Sequence, residues 1–145
     1  MDPTMLRHAT LALVFVISSA LTALAQETGP IGIAITEAPE MGGGVCFADN
    51  MDKAFACARE QCASEAGADA DCYRVRWCYP AGWSADLFVQ NQDGFHSHDY
   101  VCGWTDRESL EAAIALKCDR ERYPYLMECM AVRMWDNDGN AVELE

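Results

Sequence analysis

The sequence predicts an α+β domain built from two pseudo-symmetric ββαβ repeats, with two helices on one face of a mostly antiparallel, disulfide-stapled sheet. Three observations predict it. Six of the eight cysteines form two sets: Cys46, Cys62 and Cys72 lie 16 and 10 apart, and Cys102, Cys118 and Cys129 lie 16 and 11 apart. A shift of 56 residues lays Cys46 on Cys102, Cys62 on Cys118 and Val45 on Val101; one further residue lays Cys72 on Cys129 and Val75-Arg76 on Val132-Arg133. Within each set, apolar residues recur at three- and four-residue spacing, which marks a helix, and an alternating segment follows, which marks a strand. The repeats span about 31–78 and 84–135, and each is too short to bury a core separately, so residues 26–145 are expected to form one domain.

The elements follow in order. Strands are expected at Ile31–Ile35 and around Cys46, with Gly42-Gly43-Gly44 as a flexible turn, since no Lys-Ser/Thr follows to make it a phosphate loop. The first helix is expected from Asn50 to Ala66, with Gly67 as its stop. Its stripe is Met51, Ala54, Phe55, Ala58 and Cys62, and the two small residues let it lie close to its support. The second helix runs from Asp106 to Lys117 or Cys118, with Leu110, Ala113 and Ile114 on the matching stripe. Thr105-x-x-Glu108 reads as a capping box, and Asp49-x-x-Asp52 as its weaker counterpart 56 residues earlier. After each helix, Tyr73, Val75 and Trp77 alternate with arginines, and Met130, Val132 and Met134 alternate with Ala131 and Arg133, as in a strand with one buried face. Further strands are expected at Ala85–Gln90, Phe95–Cys102 and Ala141–Leu144, with hairpin turns at Asn91–Gly94 and Asp136–Gly139.

The N-terminus reads as a signal peptide over residues 1–25. Arg7 and His8 precede an apolar run from Ala9 to Ala23, and Ala23-Leu24-Ala25 supplies a small-x-small cleavage site before Gln26. A membrane anchor needs roughly 20 apolar residues, and Ser18, Ser19 and Thr22 interrupt this run. Met5 is an alternative start. Cleavage removes Asp2 and Arg7 together and leaves 22 acidic against 9 basic residues, still a net charge of −13. Such a balance disfavours nucleic acid and anionic membrane surfaces, and attracts a cationic partner. Eight cysteines behind an export signal read as disulfides in a periplasmic or secreted bacterial protein; none forms the C-x2-C of a zinc site.

Two pairings follow from the repeat. A chain returning from a helix end to the adjacent strand brings Cys62 beside Cys72 and Cys118 beside Cys129. Cys46, Cys57, Cys78 and Cys102 allow three pairings. Parsimony favours Cys46–Cys102 with Cys57–Cys78. Distance objects to the latter, because Cys57 lies about 7.5 Å before Cys62 along its helix and Cys78 roughly 20 Å beyond Cys72 along its strand.

The motif Ala54-Phe55-Ala56-Cys57-Ala58-Arg59-Glu60-Gln61-Cys62, followed by a Gly-containing loop and the strand Cys72-Tyr73-Arg74-Val75, recurs at Glu111–Cys118 and Cys129–Val132. On these motifs residues 31–135 resemble a bacterial family of small exported proteins, domain of unknown function 4189. The family tends to place a cysteine directly before an alanine-rich middle strand; here Trp83-Ser84-Ala85 holds that place and Cys78 comes earlier. The resemblance implies no activity.

For chemistry, Phe95-His96-Ser97-His98-Asp99 stands out. His96 and His98 share one face of a strand and suit a metal, but a third ligand must come from Asp86, Asp93 or Asp99, and a solvated strand face is the simpler reading. Ser97 points away from both histidines, so neither is poised to take its proton. Asp136-Asn137-Asp138-Gly139-Asn140 lacks the distal Glu of a calcium loop and reads as a turn. Trp77 is expected in the core, while Trp83, Trp104 and Trp135 suit either packing or a binding surface. No cofactor is called for. The reading that fits is an exported, non-enzymatic binding protein, for instance an inhibitor or immunity protein acting on a cationic envelope hydrolase or toxin. The alternatives are a structural or stress-protective envelope protein and an unrecognised periplasmic hydrolase.

Overall fold

The computed structural model describes residues 29–144; the expected signal peptide and its cleavage site lie outside them. Unit one comprises β1 (Gly32–Ala38), β2 (Gly42–Ala48), α1 (Met51–Ala66) and β3 (Tyr73–Cys78). Unit two repeats the order with β4 (Trp83–Asn91), β5 (His96–Trp104), α2 (Arg107–Lys117) and β6 (Leu126–Trp135). Each unit is a three-stranded antiparallel sheet with its first strand in the middle, β2-β1-β3 and β5-β4-β6. The α+β class and the two ββαβ units are therefore present, with the strands divided between two sheets.

Strand alternation explains the division. On β1, Ala34 packs with Ala54, Phe55 and Ala58 of α1, while Ile33 and Ile35 point the other way and meet Tyr100 and Trp135 of unit two. On β4, Ala85 and Leu87 pack with Leu110 of α2. Both faces of β1 are thus apolar, which a sheet covered on one side does not need. The two sheets face each other, and each helix covers the outer face of its own sheet rather than sharing one face of a common sheet.

The helix caps sit one residue later than the sequence suggests. Asn50 accepts from the Lys53 N–H at 3.0 Å, and Asp106 accepts from the Ser109 N–H at 2.7 Å. Thr105 instead donates its hydroxyl to Asp106. Asn and Asp are stronger caps than Thr, and the two caps keep the 56-residue offset. Met51 of the expected stripe is exposed; Ala54, Phe55, Ala58 and Cys62 are buried.

Gly42-Gly43-Gly44 opens β2 instead of forming a turn. A side chain at Gly44 would place Cβ 1.8 Å from the Ala58 carbonyl oxygen, so glycine is what lets α1 lie on the strand. The N–H groups of Gly43 and Val45 donate to the side chains of Glu65 and Gln61, so α1 also caps this sheet edge. Ala141–Leu144 is not a strand. Ala141 makes one bridge to Trp135, and Val142 alone of the segment packs on the core.

The expected alternation on β3 and β6 fails at one point in each. Ile35 pairs with Arg76 and Thr36 with Arg74, leaving Val75 as an extra residue; Asp86 pairs with Arg133 and Leu87 with Ala131, leaving Val132 extra. A bulge at the same place in both units reverses the faces beyond it. Tyr73, Val75, Met130 and Val132 are consequently exposed, while Arg74 lies over the Phe55 ring.

All eight cysteines are bridged. Cys62 joins Cys72 and Cys118 joins Cys129, the two pairs read from the repeat. The others are Cys46–Cys57 and Cys78–Cys102, not Cys46–Cys102 and Cys57–Cys78. The distance argument, not parsimony, is the one the fold obeys. Four disulfides point to an oxidising compartment, and no helix among the described residues is long and apolar enough to cross a membrane.

Candidate binding cleft

Where the two sheets part, at the end of β1 and the start of β5, lies a cleft of about 250 Å³. Glu37 of β1, Glu40 of the following turn and Glu65 of α1 line one side; His96, His98 and Tyr100 of β5 and Arg133 of β6 line the other. Alternation places these groups. With Ala85 and Leu87 turned toward α2, Asp86 between them must point toward sheet one, and its register partners across β5 and β6 are Tyr100 and Arg133.

Asp86 is fully buried, and its two oxygens have separate partners. Oδ1 lies 2.6 Å from Nδ1 of His98, which donates because a carboxylate can only accept. Oδ2 accepts from Nε and Nη2 of Arg133 at 3.1 and 2.9 Å. The network satisfies the buried carboxylate and uses the Arg133 charge in doing so.

The acidic side of the cleft has no such compensation. Among the described residues, no lysine or arginine pairs with Glu37, Glu40 or Glu65. Burial holds the Glu37 carboxyl above its ordinary pKa; the imidazole and backbone N–H of His98 act against that, and Asp86 adds to it. Tyr100 is 3% exposed. Burial, and then the carboxylates of Asp86 and Glu37, keep its phenol far above the usual range, so it stays a neutral donor and acceptor. Its ring stacks near His98 and its hydroxyl faces Gly43 and the cleft; among the described residues no hydrogen bond reaches that hydroxyl.

The three metal candidates separate. His96 and His98 share the cleft side of β5, but Asp99 turns to the opposite face and pairs with Lys117. Among the described residues no three His, Cys, Asp or Glu side chains gather closely enough to hold a metal ion. Asp93 lies in the β4–β5 turn, donating its N–H to Asn91. Of the tryptophans, Trp77 packs against the α1 core and Trp83 against that of α2, Trp135 is buried between the sheets, and Trp104 is partly exposed. The Asp136 turn closes on itself, its carboxylate accepting from Asp138 and Asn140.

Sequence reasoning named His96 and His98 but missed Glu37, Glu65, Tyr100 and Arg133, and weighed Asp86 only as a third metal ligand. One signal was available: a lone acid in the apolar run Ala85-Asp86-Leu87-Phe88-Val89, which a buried strand tolerates only with a partner. No protein-family model matches the chain, and no curated protein or solved structure matches it, so the resemblance to domain of unknown function 4189 rests on its motifs alone.

Proposed function

We propose that the protein is an exported, non-enzymatic binding protein with a cationic protein partner, acting as an inhibitor or immunity protein toward a cationic hydrolase or toxin in the periplasm or outside the cell. The observation that carries this reading is the cleft, where three carboxylates pair with no lysine or arginine among the described residues while the neighbouring Arg133 is held by Asp86. The net charge of −13 extends the same field over the whole chain. The four disulfides hold the surface rigid, which limits the ordering cost of association.

Partners captured from envelope extract, purified and measured against the protein from about 50 to 300 mM salt, test the reading, because screening at about 8 Å weakens steering more than contact. The association rate is expected to fall clearly and the dissociation rate to change little. An acidic specific partner, or an association rate indifferent to salt, overturns the electrostatic part. Turnover of a substrate overturns the non-enzymatic part.

One observation favours a second reading, a hydrolase of unrecognised type: a buried carboxylate orients His98 as it would a general base. Against it, among the described residues no hydroxyl or thiol is hydrogen-bonded to either imidazole.

A further inference from the structure

We infer that the cleft receives a single lysine or arginine side chain from the partner, with the Tyr100 hydroxyl as its hydrogen-bond acceptor and Glu37 and Glu65 as its counter-charges. The inference rests on the binding reading above and names the group recognised.

Two independent features point to such a ligand. One is the set of Glu37, Glu40 and Glu65 around a cleft of about 250 Å³, none of them paired with a lysine or arginine among the described residues. The other is Tyr100, a residue only 3% exposed whose hydroxyl opens into that cleft and has no hydrogen-bond partner among the described residues. The rest of the residue is buried and its oxygen alone opens to the cleft, so a donor that enters the cleft finds a fixed acceptor there. Each other ligand class conflicts with the walls. An anion meets three carboxylates. An apolar group desolvates Glu37 without pairing it. A metal ion lacks three converging ligands among the described residues. A cationic side chain supplies N–H donors to the phenol oxygen and charge to the carboxylates, and the strongest hydrogen bonds are those in which one partner is charged. Arg133 does not already fill this role, because Nε and Nη2 are both turned to Asp86.

The test uses defined probes: the blocked peptide Gly-Gly-Lys-Gly-Gly, its arginine and norleucine counterparts, and free cadaverine, each titrated into the full mature protein while backbone amide NMR shifts of Gly43, His98 and Tyr100 are followed. The lysine or arginine peptide is expected to shift these amides saturably and the norleucine peptide to leave them unmoved. Glu37→Gln weakens the cationic peptide about tenfold and Tyr100→Phe about threefold, each removing one charge-assisted contact without removing packing. Lys117→Met, at the end of α2 over the face of β5 away from the cleft, leaves binding unchanged. Equal binding of the norleucine peptide, no shift with either cationic peptide, or unaltered affinity in both variants overturns the inference. Tighter binding of cadaverine than of either peptide overturns the assignment to a protein side chain and gives a small amine as ligand. The two readings fail separately. A salt-sensitive cationic partner that binds Glu37→Gln and Tyr100→Phe as well as wild type sinks the cleft and keeps the binding function. Saturable cationic peptide binding without any salt-sensitive protein partner keeps the cleft and sinks that function.

Discussion

Unit one and unit two run the same elements in the same order, yet they close in different ways. In unit one, Ala34 sits opposite Cys46 on the face toward α1, and Cys46 bridges to Cys57 of that helix. In unit two, Ala85 sits opposite Val101, so valine takes the helix-facing place. Between Val101 and Trp104 the β5 strand carries an extra residue: Cys102 and Gly103 together oppose Ser84, and Gly103 takes φ +86°, which glycine accepts without strain. Alternation after Val101 points Cys102, like Tyr100, toward sheet one, where it bridges to Cys78. Two cysteines that align in sequence thus do opposite work, one fixing a helix to its sheet and the other fixing the two units together.

A second difference lies in the central strands. Ile35 of unit one and Asp86 of unit two both face between the sheets and both oppose an arginine, Arg76 and Arg133. Only unit two has a carboxylate there, and only there is the arginine drawn down into a network that shapes one wall of the cleft. A third concerns the helices. α1 rests on Gly44 and buries four residues, whereas α2 buries Leu110 alone and is tied to β5 by Lys117 and Asp99. Unit one is built for packing, and unit two trades some packing for polar groups at the cleft.

The comparison can be broken at the disulfides. Replacing Cys78 and Cys102 together by alanine opens a loop of 24 residues in sequence separation and is expected to cost about 3.5 kcal/mol, against about 2.8 kcal/mol for Cys46 and Cys57, which are 11 apart. Urea unfolding of the two double variants checks the order. A larger loss for Cys46–Cys57 would mean that the units do not depend on each other through Cys78–Cys102.

Gly44→Ala drives a methyl group into the Ala58 carbonyl and is expected to destabilise by about 3 kcal/mol, the upper end for overpacking, because backbone cannot yield as a side chain can. Lys117→Met breaks only a partly exposed ion pair and costs under about 1 kcal/mol. Thermal denaturation of both tests whether α1 is the close-packed helix; similar losses would remove that contrast.

A smaller effect separates Asp86 from its partners. Arg133→Met leaves a fully buried carboxylate with His98 alone and is expected to cost about 2 kcal/mol, below the usual figure for a broken buried pair because Arg133 is half exposed and the histidine bond persists. Asp86→Ile copies unit one and leaves Arg133 and His98, both partly exposed, to solvent, so its loss is expected to be about 1 kcal/mol or less. If Asp86→Ile is the more damaging in chemical denaturation, the network contributes more than charge neutralisation.

Much of this was legible in the chain itself. The duplicated cysteine spacing carried the two units and the bridges Cys62–Cys72 and Cys118–Cys129, because a helix end and the next strand start are neighbours wherever the unit sits. The helices were legible from stripes such as Ala54, Phe55 and Ala58, and their caps to within one residue, because capping depends on a few adjacent groups. Which face each strand residue takes was decided by tertiary structure. A strand has a period of two, so the single extra residues at Val75, Val132 and the Cys102-Gly103 bulge each reverse every side chain beyond them. The reversals at Val75 and Val132 exposed Tyr73 and Met130. The cleft needed more still. Glu37, Glu65, Tyr100 and Arg133 come from β1, α1, β5 and β6, and only the packing of two sheets face to face brings them within reach of one ligand.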